Sequence, residues 1–228
     1  MKRLIGKGQI EWTNHILNFI AVCLGIIITF AGQGLINSIA ERKEVKSSLL
    51  LVKNELLDNM SYIELSDSVM NMFSQAGKFL IRYEGHYNDA PKDSMMMHCY
   101  VPFIVYEITH SEEALELLKN SSLFTKIKDF NLSLDIIHTY GAIKDEMKVI
   151  SLYLEQKRKY LDDALVGKAK HAISQEDITA VQLWNAMTST NEGKQLLREL
   201  YHMNVTHDSS STKEAIQKTI KAIDQYIN

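Results

Sequence analysis

Proline, cysteine and glycine are scarce in this chain of 228 residues, which contains two Pro, two Cys and ten Gly. Two cysteines cannot build a disulfide framework. So few prolines and glycines are not typical of a turn-rich β-sandwich or a linker-dominated chain. The net charge of −3 lacks the basic excess of nucleic-acid-binding domains. Apolar residues at 46 % and charged residues at 23 % exclude a disordered chain.

The short motifs of phosphate loops, dinucleotide folds, nucleophile elbows and zinc proteases are also missing. Cys99 with His138 or His171 has the residue types of a Cys–His pair, but nothing in the sequence places them together. The run Lys157-Arg158-Lys159 is too short for a nucleic-acid groove, and we interpret it as a solvated helix face. We therefore expect no enzymatic activity, no cofactor and no nucleic-acid partner.

A Glu-x-x-His spacing occurs twice, at Glu107/His110 and at Glu199/His202. Di-iron helical bundles use two such pairs on facing helices. The first pair straddles the start of a predicted helix. The second lies in a last helical turn, where a histidine suits the helix dipole. We therefore predict no metal site.

A membrane-length apolar run lies near the N-terminus. The twenty-one residues from Ile16 to Ile36 carry no formal charge, and a bilayer core needs about 20 helical residues. A cleaved signal peptide would have a shorter apolar core and then a small-residue cleavage site, whereas this run continues beyond Gly34. A buried helix of a soluble protein is the other alternative. We predict a transmembrane helix within residues 12–38, after a short flank at 1–11.

The orientation of this helix is not set by its flanking charges. Three basic residues lie on each side: Lys2, Arg3 and Lys7 before it, and Arg42, Lys43 and Lys46 after it. The positive-inside rule therefore does not decide. A long domain follows on the C-terminal side, and long domains translocate largely regardless of charge. We expect a single-pass membrane protein with its C-terminal domain on the outer (periplasmic) face.

Small and polar residues recur on one side of the predicted membrane helix. At 100° per residue, five of them fall within about 80° of each other: Asn18, Ala21, Gly25, Thr29 and Gly32. We call these five residues the small-residue stripe. Small residues allow close helix approach, and an Asn amide can hydrogen-bond across helices. We predict that the stripe mediates self-association or pairing with another membrane protein, although such residues are also common in membrane helices generally.

Helical patterning continues beyond the membrane run, since no Pro or Gly occurs between Leu35 and Ala76. A heptad-type seam is formed by Val45, Leu49, Val52, Leu56, Asn59 and Ile63. We predict a helical stalk and the first bundle helices at 39–84. Ser and Asp compete with the helix backbone, so a break is expected within residues 61–67. Residues 85–102 predict a loop, because they contain both prolines and several turn-forming residues.

The apolar and capping patterns of residues 103–228 predict a helical bundle. Its clearest apolar stripe ends near Val166 and consists of Leu132, Ile136, Tyr140, Ile143, Met147, Ile150, Leu154 and Leu161. Capping-box spacing marks helix starts after Thr109 and Ser211, and Ser174 with Asp177 marks another. The only strand candidate, residues 101–108, is short. The predicted fold class is all-α, with an N-terminal transmembrane helix continuing into a helical stalk and a helical bundle.

Two stretches resemble a Bacteroidota family of small single-pass membrane proteins catalogued as a domain of unknown function. Residues 36–43, Ile-Asn-Ser-Ile-Ala-Glu-Arg-Lys, resemble its juxtamembrane signature, with Ile39 where the family has Trp. Residues 118–123, Leu-Lys-Asn-Ser-Ser-Leu, resemble its Asn-Ser-Gly-Leu turn, with Ser122 in place of Gly. Gly141 likewise stands where the family has a second Tyr. The resemblance implies a single-pass protein of the bacterial envelope and brings no catalytic residues.

Two functions fit these features. One is a membrane-anchored helical scaffold or accessory subunit, oligomeric, whose partners are the lipid bilayer and itself or another membrane protein. The alternative is a membrane-anchored sensory or ligand-binding helical module that acts through a partner protein. An apolar pocket with a few convergent polar groups would favour the alternative. A large exposed apolar patch would favour the scaffold.

Overall fold

The computed structural model describes residues 7–166, 178–203 and 208–228, with side chains from Phe19 onward. Within these ranges the chain forms seven α-helices and no β-strand. The helices are α1 (Lys7–Arg82), α2 (Lys92–His98), α3 (Glu113–Asn120), α4 (Phe130–Val166), α5 (Ala180–Met187), α6 (Asn191–His202) and α7 (Ser210–Ile227). Short 3₁₀ helices lie at Tyr87–Asp89, Val101–Phe103 and Leu123–Lys126. The all-α prediction is confirmed for the described part of the chain.

Helix α1 is continuous from the apolar run into the bundle, over 76 residues. The break predicted within residues 61–67 is wrong. Ser61, Ser66 and Ser68 instead donate hydrogen bonds to the carbonyls four residues earlier, at 3.2, 2.8 and 3.1 Å. Their hydroxyls therefore bond within the helix and do not interrupt it. The helix ends shortly before Gly85, whose φ of +80° is a left-handed conformation that favours glycine.

The predicted seam of α1 forms the centre of the bundle. All six of its residues are buried, and further buried residues extend it at Ser66, Met70, Phe73 and Leu80. Helices α3, α6 and α7 of the same chain pack against α1. The seam is therefore occupied within one copy of the chain, and a second copy is not needed to cover it.

Helix α4 runs alongside α1 in the same direction. Tyr140 of α4 contacts Glu55, and Lys157, nearly five turns later, lies over the ring of Phe73. The predicted apolar stripe of α4 is buried, except for Leu154, which is half-buried. The sequence pattern therefore predicted the packed side of α4 correctly.

Helices α6 and α7 both run antiparallel to α1 and cover successive parts of it. In the half nearer the apolar run, Asp224 of α7 binds Lys53 at 2.6 Å. At the start of the same helix, Lys213 binds Asp67 at 2.7 Å. In the distal half, the carbonyl of Tyr201 in α6 accepts a hydrogen bond from a serine of α1, Ser74, at 3.1 Å. The bundle therefore consists of three rows of helices. The first is α1, the second is α4, and the third is α7 along the half of α1 nearer the apolar run with α6 along the distal half.

The closest approach between α1 and α6 occurs at Gly77. A Cβ atom on this glycine would lie 2.6 Å from the backbone nitrogen of Tyr201 and 2.9 Å from the Cβ of Leu200. Atoms cannot approach this closely without a shift of backbone. A glycine at this position is therefore required for the observed packing of the distal half of the bundle.

The starts of two helices differ from the predicted caps. Helix α5 is capped by a reciprocal box between Thr179 and Gln182, whereas the predicted cap at Ser174 and Asp177 lies outside the described residues. Helix α7 already begins at Ser210, so the Ser211 side chain lies inside the helix and forms no cap.

The connection at 85–102 contains α2 and two 3₁₀ helices, and it is anchored by the buried side chain of Met95.

Candidate functional site

The first part of α1 exposes a continuous apolar surface. Phe19, Ile28 and Phe30 are 70 %, 69 % and 69 % exposed, and no other helix in the described ranges covers this segment. Among the described residues, α1 is the one helix long and apolar enough to cross a membrane, by length and composition. An exposed apolar surface of this extent is unfavourable in water and favourable in contact with lipid.

Four members of the small-residue stripe have described side chains on this segment. Ala21, Gly25 and Thr29 are exposed, Gly32 is half-buried, and a Cβ atom on either glycine would meet nothing within 4 Å. The hydroxyl of Thr29 donates to the carbonyl of Gly25 at 2.7 Å, so it is satisfied within the helix. The side chain of Asn18 lies outside the described residues. The stripe is therefore open to another helix, and its role in association stays a prediction.

A buried polar cluster joins α1 to α3 and α4, further along α1 than the exposed apolar segment. One carboxylate oxygen of Glu55, Oε2, accepts hydrogen bonds from the Ser111 hydroxyl at 2.6 Å and from the Ala114 amide at 2.9 Å. The other, Oε1, accepts from the Tyr140 hydroxyl at 2.5 Å. The side chain of Asn59 donates to and accepts from the backbone of Ser111, at 2.8 and 2.9 Å. We call Glu55, Asn59, Ser111 and Tyr140 the Glu55 cluster.

The Glu55 cluster also provides the start of α3. The predicted capping box at residues 109–112 does not form, because the helix begins only at Glu113 and its N-cap residue, Glu112, makes no side-chain cap bond. The carboxylate of Glu55 binds the Ala114 amide in its place. A negative charge at a helix N-terminus is favourable, since free amides and the helix dipole both point towards it. A residue of α1 therefore determines where α3 begins.

The pKa values of the two acidic groups in this cluster move in opposite directions. Burial raises the pKa of Glu55, but hydrogen bonds from Ser111, Tyr140 and the α3 backbone lower it more, and the net pKa lies below its usual value. Burial and the neighbouring Glu55 carboxylate raise the pKa of Tyr140 far above its usual value. The cluster therefore holds a charged carboxylate and a neutral phenol across the neutral pH range.

Lys157 lies in the core of the bundle, which corrects its interpretation as part of a solvated helix face. Its side chain is buried, whereas Arg158 and Lys159 are exposed. The Lys157 ammonium donates to the carbonyl of Ile104 and lies 4.2 Å from the ring centroid of Phe73. Burial lowers the pKa of Lys157 to about 8. Lys157 has no carboxylate partner among the described residues. A buried lysine of this kind is costly, and such residues are enriched at functional sites.

A surface groove of about 390 Å³ opens beside Lys157. Its walls come from the extended segment after the second 3₁₀ helix and from the later turns of α4. Apolar lining is provided by Val105, Tyr106, Ile108, Leu154 and Leu161. We call this feature the Lys157 groove. Glu107, Glu155 and Arg158 also line it, so the groove combines an apolar lining and a buried amine with charged side chains of both signs.

The other candidate residues from the sequence, the two Glu-x-x-His pairs and Cys99, lie apart from one another in the structure. Glu107 and His110 lie in an extended segment, and Glu199 and His202 end α6. The described residues contain no group of three or more His, Cys, Asp or Glu side chains that could hold a metal ion. Cys99 is buried, and its thiol donates to the carbonyl of Met96.

Among the described residues, no histidine forms a reactive pair with the Cys99 thiol. Burial raises the pKa of Cys99, which disfavours a reactive thiolate. The His138 side chain is exposed on α4, and His171 lies outside the described residues. A nucleophilic Cys–His arrangement therefore gains no support from the described part of the chain.

The apolar patterns of the sequence indicate burial of two of these polar residues, Lys157 and Asn59. Lys157 follows Leu154 by three residues and precedes Leu161 by four, so it occupies a position of the buried stripe. Asn59 likewise occupies a seam position of α1. Glu55 lies beside the seam, and its three donors come from α3, α4 and the segment before α3, so no local pattern indicates it.

Comparisons with protein-family models, with curated proteins and with solved structures each gave no match.

Proposed function

We propose that this protein is a single-pass, membrane-anchored helical scaffold or accessory subunit that associates through its membrane helix. The observation that carries the proposal is the continuity of α1. The exposed apolar segment and the buried central helix of the bundle belong to one uninterrupted helix. An anchor of this kind holds the bundle at a defined position above the bilayer, because a continuous helix is far stiffer than a linker.

Association within the membrane is supported by the open small-residue stripe. Helices in lipid associate by close packing and interhelical hydrogen bonds, both of which small residues permit. We place the bundle on the outer (periplasmic) face, because it follows the anchor as a long domain. The resemblance of residues 36–43 to a family of envelope proteins implies a single-pass protein and does not bear on the orientation.

Membrane anchoring is tested by washing membranes that contain the full chain with alkaline carbonate. The proposal expects the protein to stay in the pellet, because an inserted helix resists extraction. Release into the supernatant would contradict anchoring. Protease added outside intact cells with a permeabilised outer membrane should digest the bundle, and protection from it would reverse the proposed orientation.

Association is tested separately by crosslinking in native membranes. The double substitution Gly25→Ile with Gly32→Ile fills the small-residue stripe and should abolish crosslinked species. Ile27→Leu, which conserves volume on another side of the helix, is the matched control and should leave them unchanged. Equal crosslinking of the double variant and the wild type would show that the stripe is not an interface.

The Lys157 groove favours the alternative, a ligand-binding module that acts through a partner protein. Its apolar lining and the Lys157 ammonium suit an amphiphilic carboxylate. Arg158 in the lining would favour such a ligand, and Glu107 and Glu155 would oppose it. Octanoate is a suitable probe, with octanol as the uncharged control. The alternative expects octanoate, but not octanol, to raise the unfolding temperature of the wild type, and neither to affect Lys157→Met. No shift with octanoate up to millimolar concentration would count against the alternative.

A further inference from the structure

A second, basic groove of about 630 Å³ lies at the end of the bundle nearest the apolar segment. Four cationic side chains line it: Arg42, Lys46, Lys126 and Lys128. We call it the membrane-proximal groove. Two of the cations come from α1 and two from the chain between α3 and α4. The tertiary fold therefore brings this charge together from positions at least 80 residues apart.

Several contacts hold the lining side chains in place. The Lys46 ammonium donates to the carbonyl of Ile227 at 2.8 Å, and the Lys126 ammonium binds Glu41 at 2.9 Å. The hydroxyl of Tyr226 accepts a hydrogen bond from the backbone amide of Lys128 at 3.1 Å. These contacts connect the start of the bundle on α1, the end of α7 and the third 3₁₀ helix.

The groove keeps an excess of positive charge. Glu41 is the acidic side chain in its lining, against four cations. Each lysine ammonium has three donors, and the bonds above occupy one on Lys46 and one on Lys126. Across the described residues, the Arg42 guanidinium and the Lys128 ammonium have no carboxylate partner. Donors of this kind bind phosphate oxygens through charge-assisted hydrogen bonds.

The position of the groove along α1 indicates the source of the phosphate. Arg42 follows Ile36, the end of the apolar run, by six residues, which is about 9 Å along a helix. The headgroup layer of a bilayer extends roughly 5–8 Å beyond the hydrocarbon core on each side. With the apolar run in the hydrocarbon core, the groove therefore lies next to the lipid phosphates.

We propose that the membrane-proximal groove binds the phosphate of an anionic phospholipid headgroup. The proposal rests on the membrane anchoring proposed above, because the anchor brings the groove to the headgroup layer. Basic residues immediately outside a membrane helix are attracted to anionic lipids. In this protein they line a concave site, so one bound lipid would contact α1 and the chain around Lys126 together. Lipid binding would thereby fix the bundle against the bilayer surface.

The test uses the full chain in mild detergent and native mass spectrometry to count retained lipids. The probes are phosphatidylglycerol, phosphatidylcholine as the zwitterionic lipid, and inorganic phosphate as the free anion. The test variant is Lys126→Gln with Lys128→Gln. The matched control is Lys148→Gln with Lys159→Gln, which removes two exposed lysines from α4, away from the groove. Thermal unfolding confirms that both variants are folded.

The wild type and the control should retain phosphatidylglycerol in preference to phosphatidylcholine. The test variant should bind phosphatidylglycerol roughly 30-fold more weakly, because two basic residues near an anionic lipid are lost. Equal retention of the two lipids by the wild type, or equal loss in test and control variants, would overturn the proposal. Displacement of the lipid by millimolar inorganic phosphate would also overturn it, since the site would then be one for free anions. Carbonate extraction of the same variants reports anchoring independently, so the two proposals can fail separately.

Discussion

Replacing Lys157 by methionine is the sharpest test of how the bundle core is built. The Lys157 side chain is 3 % exposed, lies over the Phe73 ring of α1 and donates to the backbone carbonyl of Ile104. Lys157→Met keeps an unbranched chain of similar length and removes the charge. Replacement of a buried charge by a well-packed apolar group is often stabilising.

The magnitude follows from the pKa of the amine. A lysine has a usual pKa of 10.5, and burial lowers that of Lys157 to about 8. This difference corresponds to a penalty of about 3 kcal/mol on the charged form in the folded state. The lost contacts with the Ile104 carbonyl and the Phe73 ring offset part of the gain. We therefore expect Lys157→Met to stabilise the protein at pH 7 by about 1–3 kcal/mol.

The pH dependence has a definite sign. Between pH 8 and 10.5 the unfolded state binds a proton at this lysine and the folded state has lost it. Stability of the wild type relative to the variant therefore rises with pH across this window. Below pH 8 the full penalty applies. The advantage of Lys157→Met should accordingly be largest at pH 7 and nearly absent at pH 10.5.

Denaturant unfolding of the full chain in detergent, followed by fluorescence of the buried Trp184, measures these differences. Lys159→Met is the matched control, because Lys159 lies two residues away and is exposed. The control should change stability little at either pH. A variant Lys157→Met that is less stable than the wild type at pH 7, or whose advantage does not decrease with pH, would refute this account of the core.

Three further predictions concern helix contacts and backbone conformation, each measured by the same unfolding assay. Gly77→Ala should destabilise the protein by about 2 kcal/mol or more through overpacking, because the new Cβ would meet the α6 backbone. Gly141→Ala is the control. It has open space around its Cβ and should stabilise the protein by about 0.5–1 kcal/mol. Ser122→Gly should stabilise by about 0.5–1 kcal/mol, since Ser122 has a φ of 57°, and a loss would contradict this. Glu55→Gln should cost about 2–4 kcal/mol at pH 7 by placing an amide among hydrogen-bond donors. This cost should shrink as the pH falls through the lowered pKa of Glu55, and a cost independent of pH would contradict the assignment of charge.

Much of the helical architecture follows from local sequence patterns. The apolar run is recognised by its length and lack of charge. The seam of α1 and the stripe of α4 each have a helical period, and their burial depends mainly on that period. Gly85 likewise appears at the turn after α1, as a residue free to adopt positive φ. These features could be predicted because they depend on residues close together in the chain.

The polar contacts of the bundle could not be predicted in this way. Serines within residues 61–67 are compatible with either a break or a continuous helix, and packing of α6 and α7 on α1 favours the continuous one. The start of α3 depends on a carboxylate from α1, Glu55, and the environment of Lys157 depends on α1 and the chain at Ile104. Each involves groups more than 50 residues apart, so its energy depends on the folded geometry and not on local spacing.

By itself, therefore, the sequence determined that the chain is helical, where its membrane-length segment lies, and which sides of α1 and α4 are apolar. Only the tertiary structure decided what covers those sides, which buried polar groups are paired, and how four distant cations come to line one groove. The physical reason is the range of the interactions. Helix period and apolar burial are properties of a single segment, whereas hydrogen-bond partners and electrostatic environments exist only once separate segments have been brought together.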